Sequence, residues 1–151
     1  MLGLGLSTAV PVLDYAVKSA AVMVNGNTIF TVTGGPILIQ ALVSLCVTAN
    51  NGTASTLQYS VTPTVGAGAQ TISAASASLA SAAAGASVTL AGTALSTAAL
   101  LNANGPNLIA NPGTIFCPAG TITMVVGVGS TTGTWEHHML YWALGPGIRV
   151  S

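Results

Sequence analysis

The sequence has very little charge. Its 151 residues include two Lys or Arg and two Asp or Glu, so charged side chains make up 3% of the chain, against about 25% in an ordinary globular protein. The four are Asp14, Lys18, Glu136 and Arg149, and none lies between residues 19 and 135. Because phosphate groups are bound by clusters of basic side chains, we expect neither nucleic acid nor an anionic membrane surface as a partner.

Long hydrophobic runs are also missing. Mean hydropathy is high, at +0.76, yet the most apolar run, ILIQALVSLCV at 37–47, is shorter than the about 20 residues that a membrane-spanning helix needs. The stretch 72–103 is long enough, but Ser, Thr and Gly interrupt it, and its ends lack basic or aromatic anchors. Pro11, Asp14 and the lack of a basic start argue against a signal peptide. The sequence therefore predicts no membrane partner.

Small neutral residues take the place of charge. A formal net charge of +0 gives little repulsion between molecules and so favours association. The hydrophobic fraction of 51% is more than a small single domain readily hides. We therefore expect a homo-oligomer with closed symmetry, with three copies favoured and two as the alternative. Cys46 and Cys117 are too few for a disulfide framework; we expect two reduced, buried thiols, with a Cys46–Cys117 pair as the alternative.

The order of patterns along the chain predicts an all-β fold. Residues 1–25 are expected to form an extended N-terminal arm, and residues 26–151 an antiparallel β-sandwich or jelly roll. Strands are predicted at 27–33, at 37–49 (central, covered on both faces), at 55–61 ending by Pro63, weakly near 70–73, at 86–92, at 113–129 with a break at Pro118, and at 134–144. Asn-Gly at 51–52 predicts a hairpin turn over 50–53, and 93–101 predicts a short helix capped by Thr93.

The stretch TWEHHMLYW, residues 134–142, is the one segment that resembles a chemical site. Adjacent side chains of a strand point to opposite faces, so His137 and His138 cannot both bind one ion. Glu136 and His138 share a face and could supply two ligands, whereas zinc takes three or four protein ligands. The other ligand types are Asp14 and two distant cysteines. We therefore predict no metal site, with Glu136 and His138 as partly exposed or hydrogen-bonded neighbours.

Other catalytic patterns are incomplete as well. Only Asp14 and Glu136 could orient a histidine base for a serine nucleophile, and no G-x-S-x-G motif is present. The same two acids, one in the arm and one in a distal strand, would have to converge for glycoside hydrolysis. GLG at 3–5 and GAG at 66–68 are only fragments of phosphate-binding glycine loops. We therefore predict a non-enzymatic protein without cofactors. Lys18 and Arg149 are expected to be single surface contacts, with an inter-subunit or shell pair for either as the alternative.

Several phrases together resemble a family of small structural proteins of tailed bacteriophages, the capsid decoration or cement proteins. They are IFTVTGGPILI (29–39), GTASTLQYSVTPT (52–64), AAGASVTLAG (83–92), PAGTI (118–122) and the closing stretch from Trp135 to Val150. The resemblance covers about residues 27–150. The chain departs from the family pattern in its Ala- and Ser-rich 72–103 stretch and its scarcity of charge.

The resemblance implies a β-sandwich virion protein with no catalytic residues. It would be assembled in the host cytoplasm, bind the major capsid protein on the outside of an assembled head, and bridge capsid subunits. The arm at 1–25 is the expected tether. Two alternatives remain open: another phage component of the tail, fibre, head–tail junction or shell, and a carbohydrate-binding adhesin. The adhesin would use Tyr59, Trp135, Tyr141 and Trp142 as stacking faces, which exposed aromatics would favour and buried aromatics would oppose.

Overall fold

A computed structural model describes residues 12–66, 68–90, 98–102, 114–127 and 132–151. Within these ranges the chain forms eleven β-strands and no helix. The strands are β1 (Val12–Val22), β2 (Thr28–Thr33), β3 (Ile37–Cys46), β4 (Leu57–Pro63), β5 (Gln70–Thr71), β6 (Ser87–Thr89), β7 (Leu100–Asn102), β8 (Ile115–Cys117), β9 (Gly120–Val126), β10 (Thr134–Ala143) and β11 (Arg149–Val150).

The strands form two antiparallel sheets. Sheet I has the order β1-β10-β3-β6-β7, and β8 pairs with the first part of β3. Sheet II has the order β11-β2-β9-β4-β5. Alternating side chains of both sheets enter a common hydrophobic core, whose largest fully buried members include Trp135, Tyr59, Phe30, Ile37, Leu42, Leu57, Ile122 and Met139. The predicted all-β sandwich is confirmed.

The predicted strands occur, but sequence neighbours often lie in different sheets. NNGT at 50–53 is not a hairpin turn, because β3 belongs to sheet I and β4 to sheet II. The strand β10 likewise pairs with β3 and β1 rather than with β9, the strand before it. The chain therefore crosses repeatedly between the sheets, which local turn residues could not reveal.

The predicted helix at 93–101 is wrong where it can be compared. Ala98 forms an isolated bridge with Ala74, and Leu100 already belongs to β7. The proposed cap Thr93 lies outside the described residues. Pairing of β7 with β6 satisfies the backbone there, so tertiary contacts override the helix propensity of alanine and leucine.

The strand β3 is central, as predicted, but only one of its faces is fully covered. Ile37, Ile39, Leu42, Ser44 and Cys46 are buried, whereas the alternate residues are half-buried. The pairing register with β10 shifts by one residue beside Gln40, between Leu140 and Tyr141. This bulge keeps both halves of an almost continuous apolar run aligned with the core.

The predicted N-terminal arm includes a strand of sheet I. Residues 12–22 form β1, which pairs with β10 along its length, and residues 1–11 lie outside the described residues. The sequence did not predict this strand, because its small and apolar residues show no clear two-residue alternation. Deletion of residues 1–25 would therefore remove an edge strand of sheet I as well as the expected tether.

The two cysteines lie at opposite ends of β3 and are both free thiols. Cys46 is the last residue of β3, and Cys117 pairs with Ile37, the first. Nine residue steps at about 3.3 Å separate these ends by about 30 Å, whereas a disulfide needs Cα atoms within about 7 Å. The Cys46–Cys117 pair within one chain is therefore excluded by geometry.

Candidate functional site

The histidine-containing strand β10 alternates as predicted. Trp135, His137, Met139 and Tyr141 are buried on its inner face, and the residues between them are half-buried on its outer face. His137 and His138 consequently face opposite sides of sheet I and cannot bind the same ion from this strand. The two histidines have different surroundings, one within the core and one at the surface.

On the outer face, His138 is held between an acid and a phenol. Its Nε2 lies 2.8 Å from Oε1 of Glu136, and its Nδ1 is hydrogen-bonded to the hydroxyl of Tyr15 on β1. The rings of Tyr15 and His138 also stack, with centroids 6.0 Å apart. If Nε2–H donates to Glu136, then Nδ1 accepts from Tyr15, and both ring nitrogens of a neutral imidazole are satisfied. The row of side chains formed by Glu136, His138 and Tyr15 links β1 to β10.

The row does not extend to a metal centre. Asp14 precedes Tyr15 on β1 and pairs with Tyr141 on the inner side, where its Oδ2 accepts a 3.1 Å hydrogen bond from the Tyr141 hydroxyl. The acids Asp14 and Glu136 therefore face opposite sides of sheet I and do not converge as a glycosidase pair would. Among the residues that the structure describes, no three His, Cys, Asp or Glu side chains group as metal ligands.

On the inner face, His137 belongs to a buried chain of hydrogen bonds between the two sheets. Its Nδ1 lies 2.7 Å from Oγ of Ser44 on β3, and that Oγ lies 2.8 Å from the hydroxyl of Tyr59 on β4. The Tyr59 hydroxyl donates to the carbonyl of Val88 at 3.1 Å. Since Tyr59 has one proton, Ser44 must donate to Tyr59, and Nδ1–H of His137 must donate to Ser44. The contacts thus specify the Nδ1–H tautomer.

Burial determines the protonation of this chain. Desolvation, followed by repulsion from His138 and Lys18, lowers the pKa of His137 to about 4. Desolvation also raises the pKa of Tyr59, although its hydrogen bond with Ser44 opposes that shift. Both groups are therefore neutral at physiological pH, and the chain functions as a structural link rather than as an acid or base poised for catalysis.

A second buried polar centre, at Asn50, was not predicted. Its Oδ1 accepts from the backbone N–H of Gly133 at 3.1 Å and from Nε1 of Trp135 at 3.2 Å. Its Nδ2 donates to the carbonyl of Leu79 at 3.0 Å. The sequence suggested a turn residue here; instead Asn50 fixes three separate segments around the buried indole.

The outer face of sheet I is the most distinctive surface among the described residues. Strand pairing aligns one row across four strands: Leu13, Trp142, Leu38 and Phe116. The adjacent rows add Tyr15, Leu140 and Ala41, then Val17, His138 and Val43, then Glu136 and Leu45. We call these residues the outer face. Phe116 is 61% exposed, Tyr15 55%, Val17 48% and Leu13 45%.

This outer face is apolar and nearly free of charge. Its acid, Glu136, is paired with His138, and the indole of Trp142 donates to Oε1 of Gln40 at 3.1 Å. Contiguous apolar surface of this kind marks interaction sites in soluble proteins. The exposed rings of Tyr15 and Phe116 were not predicted as surface features, because their strands were read as an arm and as the first part of a broken strand.

The aromatic side chains proposed for sugar stacking are mostly in the core. Tyr59, Trp135 and Tyr141 are buried, and Trp142 alone is half-buried on the outer face. Burial and the hydrogen bond to Asp14 raise the pKa of Tyr141 to about 12. The predicted quartet therefore does not form an exposed row.

Comparisons with known proteins add no relative: no protein-family model, no curated protein and no solved structure matches the chain. In the described part of the chain, no helix is long and apolar enough to cross a membrane.

Proposed function

We propose that this protein is a non-enzymatic virion structural protein that binds the outside of an assembled bacteriophage capsid and bridges its subunits. The observation that carries the proposal is the apolar, charge-poor outer face of sheet I, rimmed by Phe116 and Leu13. The resemblance of residues 27–150 to decoration proteins supports the same function. Assembly would take place in the host cytoplasm, on heads built from the major capsid protein.

Burial of the outer face would supply the binding free energy. Removing apolar surface from water contributes about 25 cal/mol per Å², and the exposed side chains of β1 and β8 have much of their area available. Glu136 and His138 are already hydrogen-bonded to one another, so docking over them would not leave the carboxylate without a hydrogen-bond partner. A partner with a flat, neutral surface therefore fits this face better than a charged one.

Avidity would make binding depend on assembly. A copy that touches two or more capsid subunits meets both at the right spacing only in the finished shell. We therefore expect binding to assembled heads and not to free capsid subunits. Because few charges are involved, binding should survive a rise from about 0.1 M to about 1 M salt, where the Debye length falls to about 3 Å.

The test is to add purified protein to undecorated heads, separate them by gel filtration, and image the particles. We expect ordered density on the shell for the natural sequence and its loss for Phe116→Glu, which places a charge on the outer face. Val65→Glu is the matched control, since Val65 is 88% exposed in the loop after β4 of sheet II. Absence of density on the shell, or density only on the tail, would overturn the proposal.

A carbohydrate-binding adhesin is the second candidate. The exposed ring of Tyr15 and the half-buried ring of Trp142 on the outer face favour it, because sugars pack against aromatic faces. Screening an array of glycans with the natural sequence and with Tyr15→Ala separates the two candidates. Binding lost with Tyr15→Ala, together with bare heads in the imaging, would favour the adhesin.

A further inference from the structure

Among the residues that the structure describes, the strand β1 has a long free edge. In the described part of the chain it pairs with β10 alone, and all its residues except Ala16 are exposed. Every second N–H and C=O along such an edge faces outward without a strand partner. The pairing of β1 with β10 is regular from Val12 to Lys18 and shifts only between Lys18 and Ala21, so no bulge interrupts the first seven residues of this edge.

We propose that the free edge of β1 pairs with β1 of a second copy of this chain. The two strands run antiparallel about a two-fold axis at Ala16, and the two copies of sheet I become one continuous sheet. An interface of this kind is isologous, because the same residues serve both copies. The proposal concerns the free protein and does not depend on what the protein binds.

Charge complementarity sets the register. Asp14 and Lys18 are two of the four charged residues in the chain, and they lie two positions before and two after Ala16 on one face of β1. Pairing about Ala16 places Asp14 opposite Lys18 of the second copy, and the symmetry repeats the pair. Opposite charges across a strand pair are stabilising and like charges are destabilising. In the single copy, both side chains are exposed.

Pairing registers with the two-fold axis at a neighbouring residue do not place Asp14 opposite Lys18. A shift of the axis to Tyr15 would place Lys18 opposite Val12 and Asp14 opposite Ala16, and a shift to Val17 leaves the charges equally unmatched. A two-fold axis midway between two residues would place each residue opposite one whose side chain lies on the other face of the sheet, which excludes such a register. Ala16 itself is small enough to face its own copy across the axis.

The outer face supports the same arrangement. With the axis at Ala16, Tyr15 lies opposite Val17 of the second copy, an aromatic and β-branched pair of the sort that stabilises sheets. Both residues are about half exposed in the single copy. The dimer would join two outer faces side by side. A two-fold axis closes at two copies, so the geometry favours the dimer over the trimer expected from composition.

The experiment uses two charge variants of the full chain. Lys18→Glu gives two acids in each β1, and Asp14→Lys gives two bases. Sedimentation velocity should show the natural sequence as a dimer at tens of micromolar, and a dimer weakened about tenfold or more in each variant. An equimolar mixture of the two variants should recover a dimer, because every opposed pair is again of opposite charge. Native mass spectrometry should identify it as the heterodimer.

Arg149→Glu is the matched control, since it makes the same change in net charge in sheet II, at an exposed residue of β11. The control should dimerise as the natural sequence does. Asp14 also accepts a hydrogen bond from Tyr141, which Asp14→Lys removes, so the single variant Lys18→Glu carries the test if Asp14→Lys fails to fold. A monomer or a trimer in the natural sequence, or Lys18→Glu equal to the control, would overturn the proposal.

Discussion

The Oγ of Ser44 lies 2.7 Å from Nδ1 of His137, in the core between the two sheets. The same oxygen is bonded to the hydroxyl of Tyr59 from the opposite sheet, so one serine joins the two layers of the sandwich. In a buried site, each polar group left without a partner costs about 1–3 kcal/mol. These hydrogen bonds therefore favour one relative placement of sheets I and II, and they also contribute to the free energy of unfolding.

Ser44→Ala and Tyr59→Phe should each lower the free energy of unfolding by about 1–3 kcal/mol, because each leaves a buried donor or acceptor unpaired. The double variant should lose less free energy of unfolding than the two single variants added together. The reason is that the second change removes a group that the first change has already left without its partner. Urea unfolding of the four proteins measures this coupling. Ser60→Ala is the control, because the Ser60 Oγ makes one hydrogen bond, to the carbonyl of Gln70; strict additivity of the pair would contradict the assigned chain.

The buried His137 should make stability depend on pH. The unfolded chain binds a proton below its ordinary histidine pKa of about 6.5, whereas the folded protein does so only below a pKa of about 4. Between these values the unfolded state holds more protons, so stability falls as pH drops from about 6.5 to about 4 and then levels off. The loss should reach about 3 kcal/mol.

Unfolding in urea at pH values across this range measures the slope for the natural sequence and for His137→Gln. The variant lacks the buried imidazole, so most of the pH dependence in this window should disappear, whatever its stability at neutral pH. His138→Gln is the neighbouring control and should retain the slope. An unchanged slope in His137→Gln would show that the buried imidazole is not the titrating group.

The sequence predicted the fold class because side-chain alternation and turn residues are local signals. Strands at 27–33 and 134–144 correspond to β2 and β10. Which sheet each strand joins depends on contacts far along the chain, and this is why the hairpin at 50–53 was wrong. The strand β1 was missed because its exposed residues follow no two-residue pattern, and its pairing with β10 is visible only in three dimensions.

The candidate site was predicted in part. Strand periodicity alone placed His137 and His138 on opposite faces and paired Glu136 with His138. The partners of these groups could not be predicted, since Ser44 and Tyr59 stand in ordinary strand patterns and Tyr15 belonged to an expected arm. Asn50 beside an Asn-Gly pair looks like a turn residue, and only the approach of Trp135 from β10 gives it a buried role.

Asn50→Ala should destabilise the protein by about 2–3 kcal/mol, because it strands the Trp135 indole N–H and the Gly133 N–H. It also removes one of two hydrogen bonds to the Leu79 carbonyl, which still accepts from the backbone N–H of Ala82. Asn51→Ala is the matched control, since its side chain accepts one exposed hydrogen bond, from Thr53. Tryptophan fluorescence during urea unfolding, in a Trp142→Phe background, follows Trp135 alone. Equal destabilisation by the two changes would contradict the role assigned to Asn50.

The two thiols should be unreactive in the folded protein, and each should become exposed through a different unfolding event. Cys46 and Cys117 are both buried, and desolvation raises the pKa of Cys117 to about 11 and raises that of Cys46 as well. The thiolate is the reactive form, so an alkylating reagent at pH 8 should modify neither residue until part of the structure opens.

Cys117 should react first. It lies in β8, a strand of three residues whose one partner among the described strands is the first part of β3. Cys46, in contrast, ends the central strand, and its thiol donates to the carbonyl of Thr48 at 3.1 Å. Short peripheral strands open locally, while central ones are exposed mainly by global unfolding. Mass spectrometry of alkylated peptides over a series of low urea concentrations measures both rates. The Cys117 rate should respond weakly to urea and the Cys46 rate steeply, in line with the global unfolding curve; identical rates and urea dependence would mean that β8 and β3 open only together.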